Sequence, residues 1–468
     1  MSIAFDHSYA RDLPGTYLRA VPDPAPAPRL LVLNADLAAD LGLALTETEA
    51  THWFSGAALP PGADPIAQAY AGHQFGGFSP QLGDGRAHLL GEVIAPDGRR
   101  FDIQLKGSGR TAFSRGGDGK AAVGPMLREY LISEFMAAVG VPTTRALAVV
   151  ATGEEIWRET RLPGAVLARV AASHLRVGTF QFFAARGETA QVRALADYAI
   201  ARHYPDLADA ENPYLAFLDA VIARQARLIA DWMGIGFVHG VMNTDNMAIS
   251  GETIDYGPCA FMEAYAPGTV FSSIDHQGRY AYANQPLILG WNLARLAETL
   301  LPLIDPVPDR AVEIANERLS GIKGRYRAEW VAVMRRKLGL PGAEAEDAAL
   351  ADDLMAAMEG ADWTLTFRRL ADEAALRPLF RDFSRMDAWL RRWRARAGDG
   401  VEGRIALANP AVIPRNHKVE EALAAATAGD LAPFHALLAA IRQPFVAAEP
   451  YILPAPTGFG PYVTFCGT

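Results

Sequence analysis

Hydrophobic and polar residues alternate, with the two-residue period of a β-strand, in several short runs between residues 86 and 171. Residues 86–94 and 100–106 form two such runs, and the Pro-Asp-Gly sequence at 96–98 is typical of a tight turn. Residues 144–151 and 165–171 have the same character. The pattern predicts a β-rich region that begins with a hairpin.

A hydrophobic period of three to four residues predicts helices elsewhere. Pro125 opens an amphipathic helix that stops at Gly140. Residues 188–203 and 212–234 have the same period. Beyond residue 285 nearly all of the chain has a helical pattern, over 285–303, 308–338, 345–359, 378–396, 418–427 and 431–441.

The first 80 residues look irregular, apart from two features. The sequence PDPAPAP at 22–28 is typical of an extended linker, and residues 33–43 predict a short helix capped by Asn34. Strands first and helices later predict an α+β fold. We expect an N-terminal extension (1–80), a β-rich lobe (81–185), the core of an α-helical lobe (186–300) and a helical extension with a tail (301–468).

Composition and charge narrow the function classes. The chain has 468 residues, half of them hydrophobic, which is enough for a large globular core. A net charge of −9 gives no whole-surface attraction for nucleic acid or an anionic membrane, so neither is expected as a partner. The N-terminus lacks the pattern of a signal peptide, and charged residues interrupt the most apolar helix, at 221–238. We therefore expect a cytoplasmic protein.

Lys106 ends the second strand of the predicted hairpin, and the helix that follows carries Glu129. Protein kinases hold nucleotide phosphates with a strand lysine fixed by a helix glutamate, because an unpaired lysine would occupy many rotamers. Taken alone, the two residues are more typical of an ordinary edge-strand lysine and a surface glutamate. Their place in a longer series of motifs favours the kinase-like interpretation.

The sequence from His239 to Asn246 reads HGVMNTDN and follows the helix at 212–234. Its two ends have the spacing of the kinase catalytic loop, H-R-D-x-x-x-x-N, in which the final Asn coordinates a metal. Val241 stands where a kinase carries its catalytic Asp. An isopropyl group can neither accept a proton nor orient a hydroxyl, so ordinary kinase chemistry is not expected.

Asp255-Tyr256-Gly257 begins nine residues after Asn246, behind two short strand-like pieces at 247–250 and 252–254. It has the position and form of the kinase D-F-G element, whose Asp binds the metal that bridges nucleotide phosphates. We therefore predict that Asn246 and Asp255 hold Mg²⁺ or Mn²⁺ together with ATP.

A site without the kinase base needs another group to deprotonate an acceptor. Asp245 is the candidate because it is adjacent to Asn246; a helix cap or an extra group near the metal is its competing role. Glycines let backbone N–H groups approach an anion, and arginines add bidentate contacts. On this basis further phosphate contacts are predicted in Gly83-Asp84-Gly85-Arg86, in Asp118-Gly119-Lys120, and at Arg169 and Arg176, although each Arg is individually more typical of an ordinary surface.

These motifs resemble those of the selenoprotein O family, pseudokinases that transfer AMP from ATP to protein hydroxyls. The resemblance spans most of the chain. It rests on GHQFG at 72–76, QLGDGR at 81–86, QLKGSG at 104–109, LREY at 127–130, HGVMNTDN at 239–246, DYGP at 255–258 and PRNH at 414–417.

The resemblance implies a protein-kinase-like, two-lobed fold with a β-rich N-lobe and a large α-helical C-lobe. ATP would lie inverted, so that the α-phosphorus faces the acceptor and pyrophosphate leaves. Asp245 would be the base, Asn246 and Asp255 the metal ligands, and Glu129 the partner of Lys106. Nucleotide contacts are implied for Gly83, Gly85, Arg86, Lys106, Asp118, Gly119, Arg169, Arg176 and Asp255.

The chain contains two cysteines, Cys259 and Cys466, which excludes a disulfide framework and favours two reduced thiols. The family carries selenocysteine or Cys third from its C-terminus, where this chain has Cys466, followed by Gly467-Thr468 in place of the common Ser-Ser. Our hypothesis is a reversible Cys259–Cys466 disulfide, because one thiol follows the metal ligand Asp255 and the other is on the tail.

Three functions remain open at this point. The first is transfer of AMP to Ser, Thr or Tyr hydroxyls of proteins, with UMP transfer from UTP as a variant. The second is phosphotransfer to a protein or small molecule, against which Val241 counts. The third is a non-catalytic scaffold that binds ATP.

Overall fold

The structure is a computed structural model that describes residues 3–465. Its strands are β1 (Tyr17–Arg19), β2 (Arg29–Leu33), β3 (Ile66–Gln68), β4 (Gly72–Gln74), β5 (Gly77–Ser79), β6 (Ala87–Ile94), β7 (Arg100–Lys106), β8 (Arg145–Trp157), β9 (Arg161–Ala171), β10 (Phe237–Val238) and β11 (Ala260–Phe261). Its helices are α1 (Ser8–Asp12), α2 (Ala35–Asp40), α3 (Glu47–Phe54), α4 (Val123–Ala138), α5 (Val177–Ala184), α6 (Thr189–His203), α7 (Pro213–Gly234), α8 (Gln285–Ile304), α9 (Pro308–Ser320), α10 (Ile322–Lys337), α11 (Asp347–Ala357), α12 (Trp363–Arg368), α13 (Glu373–Leu376), α14 (Ser384–Ala397), α15 (Val401–Ala408), α16 (Asn416–Thr427) and α17 (Ala432–Ile441).

Seven strands form one antiparallel sheet in the order β1-β3-β6-β7-β9-β8-β2. The four central strands are the longest and come from the region where the alternating pattern predicted strands. Both edge strands come from the first 33 residues of the chain. With the helices that follow, this sheet gives the mixed α+β architecture that the sequence predicts.

Strand β7 shows how alternation positions the site. Ile103 and Leu105 are fully buried in a small core beneath α2 and α3, together with Phe54. Gln104 and Lys106 point to the opposite face, because successive side chains on a strand point to opposite sides. That face is covered by α4, so the polar residues of β7 meet the helix that carries Glu129.

The helical part packs around α4 and α7. One side of α4 lies against β8 and β9, and α16 and α17 cover it from the other side. Helix α7 packs against α8 and α10. The stretch 282–304, which includes α8, is long and apolar enough to cross a membrane, but 56% of its most apolar part is buried inside the protein, as in a core helix.

Several local predictions are wrong. Residues 1–80 are not irregular, because β1, β2 and β3 join the sheet; strands of three to five residues are too short to show alternation. The helix predicted over 308–338 is two helices that meet at Gly321. The strand-like pieces at 247–250 and 252–254 form only isolated bridges, and the helix predicted over 378–396 begins at Ser384. Four helices beyond residue 80 were not predicted: α5, α12, α13 and α15. The division into four domains stays a prediction.

Candidate active site

Lys106 lies at the centre of a buried ion network. Its Nζ is 2.5 Å from Glu129 Oε2 and 3.2 Å from Asp255 Oδ1. Lys106 and Glu129 are 5% and 3% exposed, so water does not screen their attraction strongly. The structure therefore brings together three residues that the sequence predicted to act together, from β7, α4 and the loop after the catalytic loop.

Arg169 extends this network along the sheet. The β7–β9 register places Arg169 opposite Gln104, and Arg169 Nη2 donates to Gln104 Oε1 at 2.5 Å. Arg169 Nη1 also lies 3.2 Å from Glu129 Oε1. Gln104 Nε2 in turn donates to Asp84 Oδ2. Lys106 and Arg169 thus share Glu129, which fixes the positions of two cations on one face of the sheet.

Asp255 has a left-handed backbone conformation, with φ of 69°. This conformation is uncommon for a residue other than glycine and is often found at functional sites. Burial alone would raise the pKa of the Asp255 carboxyl, but the charges of Lys106, Arg86 and Arg169 outweigh it and hold that pKa well below its usual range. Asp255 is therefore an anion that can bind a metal.

Hydrogen bonds hold both ends of the catalytic loop. His239 Nε2 lies 3.0 Å from the Ile254 carbonyl oxygen, which ties the loop to the segment before Asp255. Asn246 Nδ2 donates to the Val241 carbonyl at 3.1 Å. In the described part of the chain Asn246 Oδ1 makes no hydrogen bond, so its free lone pairs suit a hard cation.

Asp245 is buried, with 7% of its surface exposed. Burial raises the pKa of its carboxyl to about 6, although hydrogen bonding to Gln74 and the charge of Arg176 act in the opposite direction. Its Oδ2 accepts a hydrogen bond of 3.2 Å from Gln74 Nε2. Its Oδ1 is buried and has no hydrogen-bond partner among residues 3–465. A carboxylate in this environment is suited to accept a proton.

Two cavities meet at this site. The first, which we call the arginine cavity, has a volume of about 590 Å³ and contains six arginines among its lining residues. The second, which we call the tail cavity, has a volume of about 960 Å³ and is bounded on one side by residues 462–465 near the C-terminus. Five residues line both cavities: Gln74, Arg86, Lys106, Asp245 and Asp255.

The structure brings the sequence-predicted residues together at these cavities. Glu129 and Asn246 line the tail cavity. Asp245 lines both cavities. The residues predicted to contact the nucleotide all line the arginine cavity: Gly83, Gly85, Arg86, Lys106, Asp118, Gly119, Arg169, Arg176 and Asp255. Their individual roles stay predictions.

Close packing explains the glycines of the arginine cavity. A Cβ atom on Gly83 would lie 2.3 Å from the Phe113 ring, and one on Gly119 would lie 2.1 Å from the Gly109 carbonyl oxygen. Both glycines also have a positive φ. No larger residue fits at either position, and the backbone of the two loops can therefore approach a bound anion closely.

Two arginines of this cavity are held differently. Arg176 is buried; its Nη1 donates to the Asp245 carbonyl oxygen, and its guanidinium lies 4.3 Å from the centre of the Tyr70 ring. Arg158 makes a bidentate pair with Asp118, at 2.7 and 3.1 Å. Arg158 was missed by the sequence reasoning, because a single Arg on a predicted loop gives no signal.

A metal would have two protein ligands here. Among the described residues no group of three or more His, Cys, Asp or Glu side chains lies close enough to hold a metal ion. This donor set fits Mg²⁺, which usually keeps several waters and binds through one or two protein oxygens together with substrate phosphates. The anionic Asp255 and the free amide oxygen of Asn246 supply the two ligands.

Of the two cysteines, only Cys259 lies within the described residues. Cys259 is buried and donates to the Tyr256 carbonyl, and burial raises the pKa of its thiol to about 12. Cys466 lies outside the described residues. Thr464, two residues before Cys466, donates from its hydroxyl to the Pro258 carbonyl at 2.7 Å. The tail therefore reaches the chain next to Cys259, and the disulfide stays a hypothesis.

The PRNH motif has a structural position. Arg415 is 1% exposed and pairs with Glu263 and Asp362. Asn416 makes hydrogen bonds with both the N–H and the carbonyl of Phe261, in β11. The motif thus fixes the segment that follows Asp255 against the helical C-terminal part.

The comparisons with known proteins agree with this geometry. The sequence model of the family described as Protein adenylyltransferase SelO matches residues 1–442. The chain is 64% identical over 481 residues to a protein nucleotidyltransferase YdiU of Cereibacter sphaeroides, with 100% of both chains covered. It is 56% identical over 487 residues to the protein of that name from Rhizobium rhizogenes, covering 100% of this chain and 97% of the relative. The chain therefore belongs to the SelO family.

Proposed function

We propose that the protein transfers AMP from ATP to Ser, Thr or Tyr hydroxyls of other proteins. The acceptor oxygen forms a bond to the α-phosphorus, the bond between the α-phosphorus and the bridging oxygen breaks, and pyrophosphate leaves. The hydroxyl proton passes to Asp245. The observation that carries this proposal is the position of Asp245, which lines both cavities on a loop that has Val241 in place of the kinase base.

The charge of the arginine cavity supports the direction in which ATP would lie. Arg86, Lys106, Arg169 and Arg176 line it, which suits the β- and γ-phosphates. The tail cavity has apolar walls, including Phe75, and suits the nucleoside. The α-phosphorus then lies where the cavities meet, next to Asp245. In this orientation the leaving group is pyrophosphate, and phosphotransfer is disfavoured.

The metal would be Mg²⁺ or Mn²⁺, held by Asn246 and Asp255. When bound, it neutralises charge on the phosphates and stabilises the leaving pyrophosphate. Lys106 contributes a fixed positive charge, because Glu129 restricts its rotamers. Asp245 accepts the proton, and Gln74 and Arg176 orient the loop on which it lies.

The same proposal includes a protein-kinase-like, two-lobed arrangement. The antiparallel sheet with α4 would form the N-lobe, and α7 with the helices around it would form the C-lobe. This is supported by the Lys106–Glu129 pair between a strand and a helix and by the loop order from His239 to Asp255. We also propose a cytoplasmic location; among the described residues, the one stretch long and apolar enough to cross a membrane is packed as a core helix.

Two labelled forms of ATP test the proposal. The protein, Mg²⁺ and a mixture of candidate protein acceptors are incubated with α-labelled or γ-labelled ATP, and label bound to protein is measured. We expect transfer from α-labelled ATP alone, and a loss of about 10²–10⁴-fold in Asp245→Ala, the usual cost of removing a general base. Transfer from γ-labelled ATP would establish phosphotransfer instead. No transfer in any lane would leave the non-catalytic, ATP-binding scaffold as the remaining function. A parallel reaction with α-labelled UTP tests the UMP variant.

A further inference from the structure

The β4–β5 hairpin, residues 72–79, lies directly over the catalytic loop. It contacts three consecutive loop residues that come about 170 positions later in the chain. The backbone N–H of His73 donates to Thr244 Oγ1 at 2.7 Å. The backbone N–H of Phe75 donates to Asn243 Oδ1 at 3.3 Å, and the Gln74 side chain donates to Asp245.

At Gly72 the backbone of the hairpin lies so close to Asp245 that a Cβ atom would not fit between them. A Cβ atom on Gly72 would lie 2.4 Å from Asp245 Oδ1 and 2.9 Å from its Cβ. The φ of Gly72 is not in the left-handed region, so the requirement for glycine at this position comes from contact with Asp245 and not from backbone conformation. The carboxylate therefore lies between the Gly72 backbone and the Gln74 amide.

Other side chains hold the hairpin in place on the loop. Gln181, in α5, makes hydrogen bonds with both His73 Nδ1 and Thr244 Oγ1, at 2.8 and 2.6 Å. The Tyr280 hydroxyl donates to Asn243 Oδ1 at 2.6 Å, and its ring packs against Phe75. These contacts restrain both the hairpin and the catalytic loop. The Gln74 amide therefore reaches Asp245 from a hairpin whose position is fixed.

We propose that Gln74 is a positioning residue for Asp245, and that the β4–β5 hairpin holds the general base in its productive orientation. This rests on the proposed function. Gln74 Nε2 donates to one carboxylate oxygen and fixes the rotamer of Asp245. The other oxygen, Oδ1, makes no hydrogen bond within the described chain and faces the hairpin at Gly72. The amide of Gln74 has no part in proton transfer itself.

A double-mutant cycle tests the proposal. Gln74→Leu keeps the approximate volume of the side chain and removes its donor. We expect kcat for AMP transfer to fall about 10- to 100-fold, the range expected for a lost hydrogen bond to a charged group, with little change in the KM for ATP. In an Asp245→Ala background, Gln74→Leu should cause no further loss, because the group it positions is gone. An equal loss in both backgrounds, or a change confined to the KM for ATP, would overturn the proposal.

Two further variants separate positioning from folding. Ser79→Ala lies on the same hairpin, opposite Gly72, and should keep the wild-type kcat and melting temperature. Gly72→Ala places a methyl group against Asp245 and should lower kcat at least as much as Gln74→Leu. If Gly72→Ala lowers the melting temperature below that of Ser79→Ala, its kcat is set aside, and Gln74→Asn decides: it keeps a donor on a shorter side chain and should recover part of the kcat lost in Gln74→Leu.

Hydrogen exchange tests the hairpin independently of AMP transfer. The N–H of Asn246 donates to the Asn243 carbonyl at 3.0 Å and reports on the loop. If the wild-type protein transfers no AMP, the proposed function is wrong. Faster amide exchange over 243–246 in Gln74→Leu than in Ser79→Ala would still establish the hairpin as the element that holds the loop. Equal exchange in the two variants would overturn that role.

Discussion

Lys106 Nζ donates a hydrogen bond of 3.2 Å to Asp255 Oδ1, across 149 positions of the chain. The same ammonium group binds Glu129, so one lysine pairs with two carboxylates. This arrangement differs from a simple surface ion pair, which contributes little to stability. Removal of Lys106 leaves the buried Glu129 with Arg169 as its remaining cationic partner and takes the ammonium group away from Asp255, and the effect should appear both in catalysis and in stability.

Lys106→Met should lower kcat/KM for AMP transfer by about 10²-fold or more, because a fixed cation beside the phosphates is lost. The free energy of unfolding should fall by about 3–5 kcal/mol, the usual cost of breaking a buried ion pair. The check is a denaturant titration together with steady-state kinetics. Lys323→Met provides a matched surface control. A variant as active as wild type would exclude Lys106 from the nucleotide site.

A chelator should abolish AMP transfer, and Mg²⁺ or Mn²⁺ should restore it. Asn246→Leu removes one of the two proposed metal ligands and should raise the metal concentration needed for half-maximal activity by at least about 10-fold. The measurement is a metal titration of activity at saturating ATP. The control variant is Asn284→Ala, at a position before α8. Asn243→Leu is not a suitable control because Asn243 binds the hairpin. Equal metal requirements in both variants would contradict the assignment.

Cys259 should resist alkylation in the folded protein. Its thiol is buried, and its pKa is raised to about 12, so the reactive thiolate is scarce at neutral pH. We expect iodoacetamide to modify Cys259 only after denaturation, as followed by mass spectrometry. The disulfide hypothesis is tested on non-reduced protein treated with an oxidant: a Cys259–Cys466 peptide would support the hypothesis, and two free thiols would end it.

Lys337 should make stability depend on pH. Burial lowers the pKa of its ammonium group to about 7 from an ordinary value of 10.5. The unfolded chain then binds a proton that the folded chain does not, so this contribution to stability is lost as pH falls from about 10.5 towards 7. The loss is at most about 5 kcal/mol. Lys337→Met should therefore be more stable than wild type at pH 7, and the difference in melting temperature should shrink towards pH 10. A difference that does not vary with pH would contradict this.

Local patterns predicted the centre of the fold and most of the candidate site. The alternation at 86–106 gave β6 and β7, and the 3.6-residue period gave α4 and α7, because long elements repeat their pattern several times. Lys106, Asn246 and Asp255 were found from spacing, since the chemistry of phosphate transfer requires these residue types in a fixed order.

The parts that were missed depend on contacts between distant segments. Strands β1 and β3 have three residues each and are stabilised by their neighbours in the sheet and not by a pattern of their own. Gln74 belongs to a recognised motif, but only the folded chain shows that its amide reaches Asp245. The pairing of Arg158 with Asp118 is likewise invisible without the β8–β9 hairpin.

Both edge strands of the sheet come from the first 33 residues, and their partners lie at 66–68 and 145–157. During synthesis the edge strands β1 and β2 leave the ribosome before the central strands of the sheet have been made. β1 has no partner until residues 66–68 are made, β2 has none until residues 145–157 are made, and the sheet is complete only after β9 has emerged at residue 171. The complete sheet of this enzyme therefore forms late in synthesis, and until β8 is made β2 is an unpaired strand.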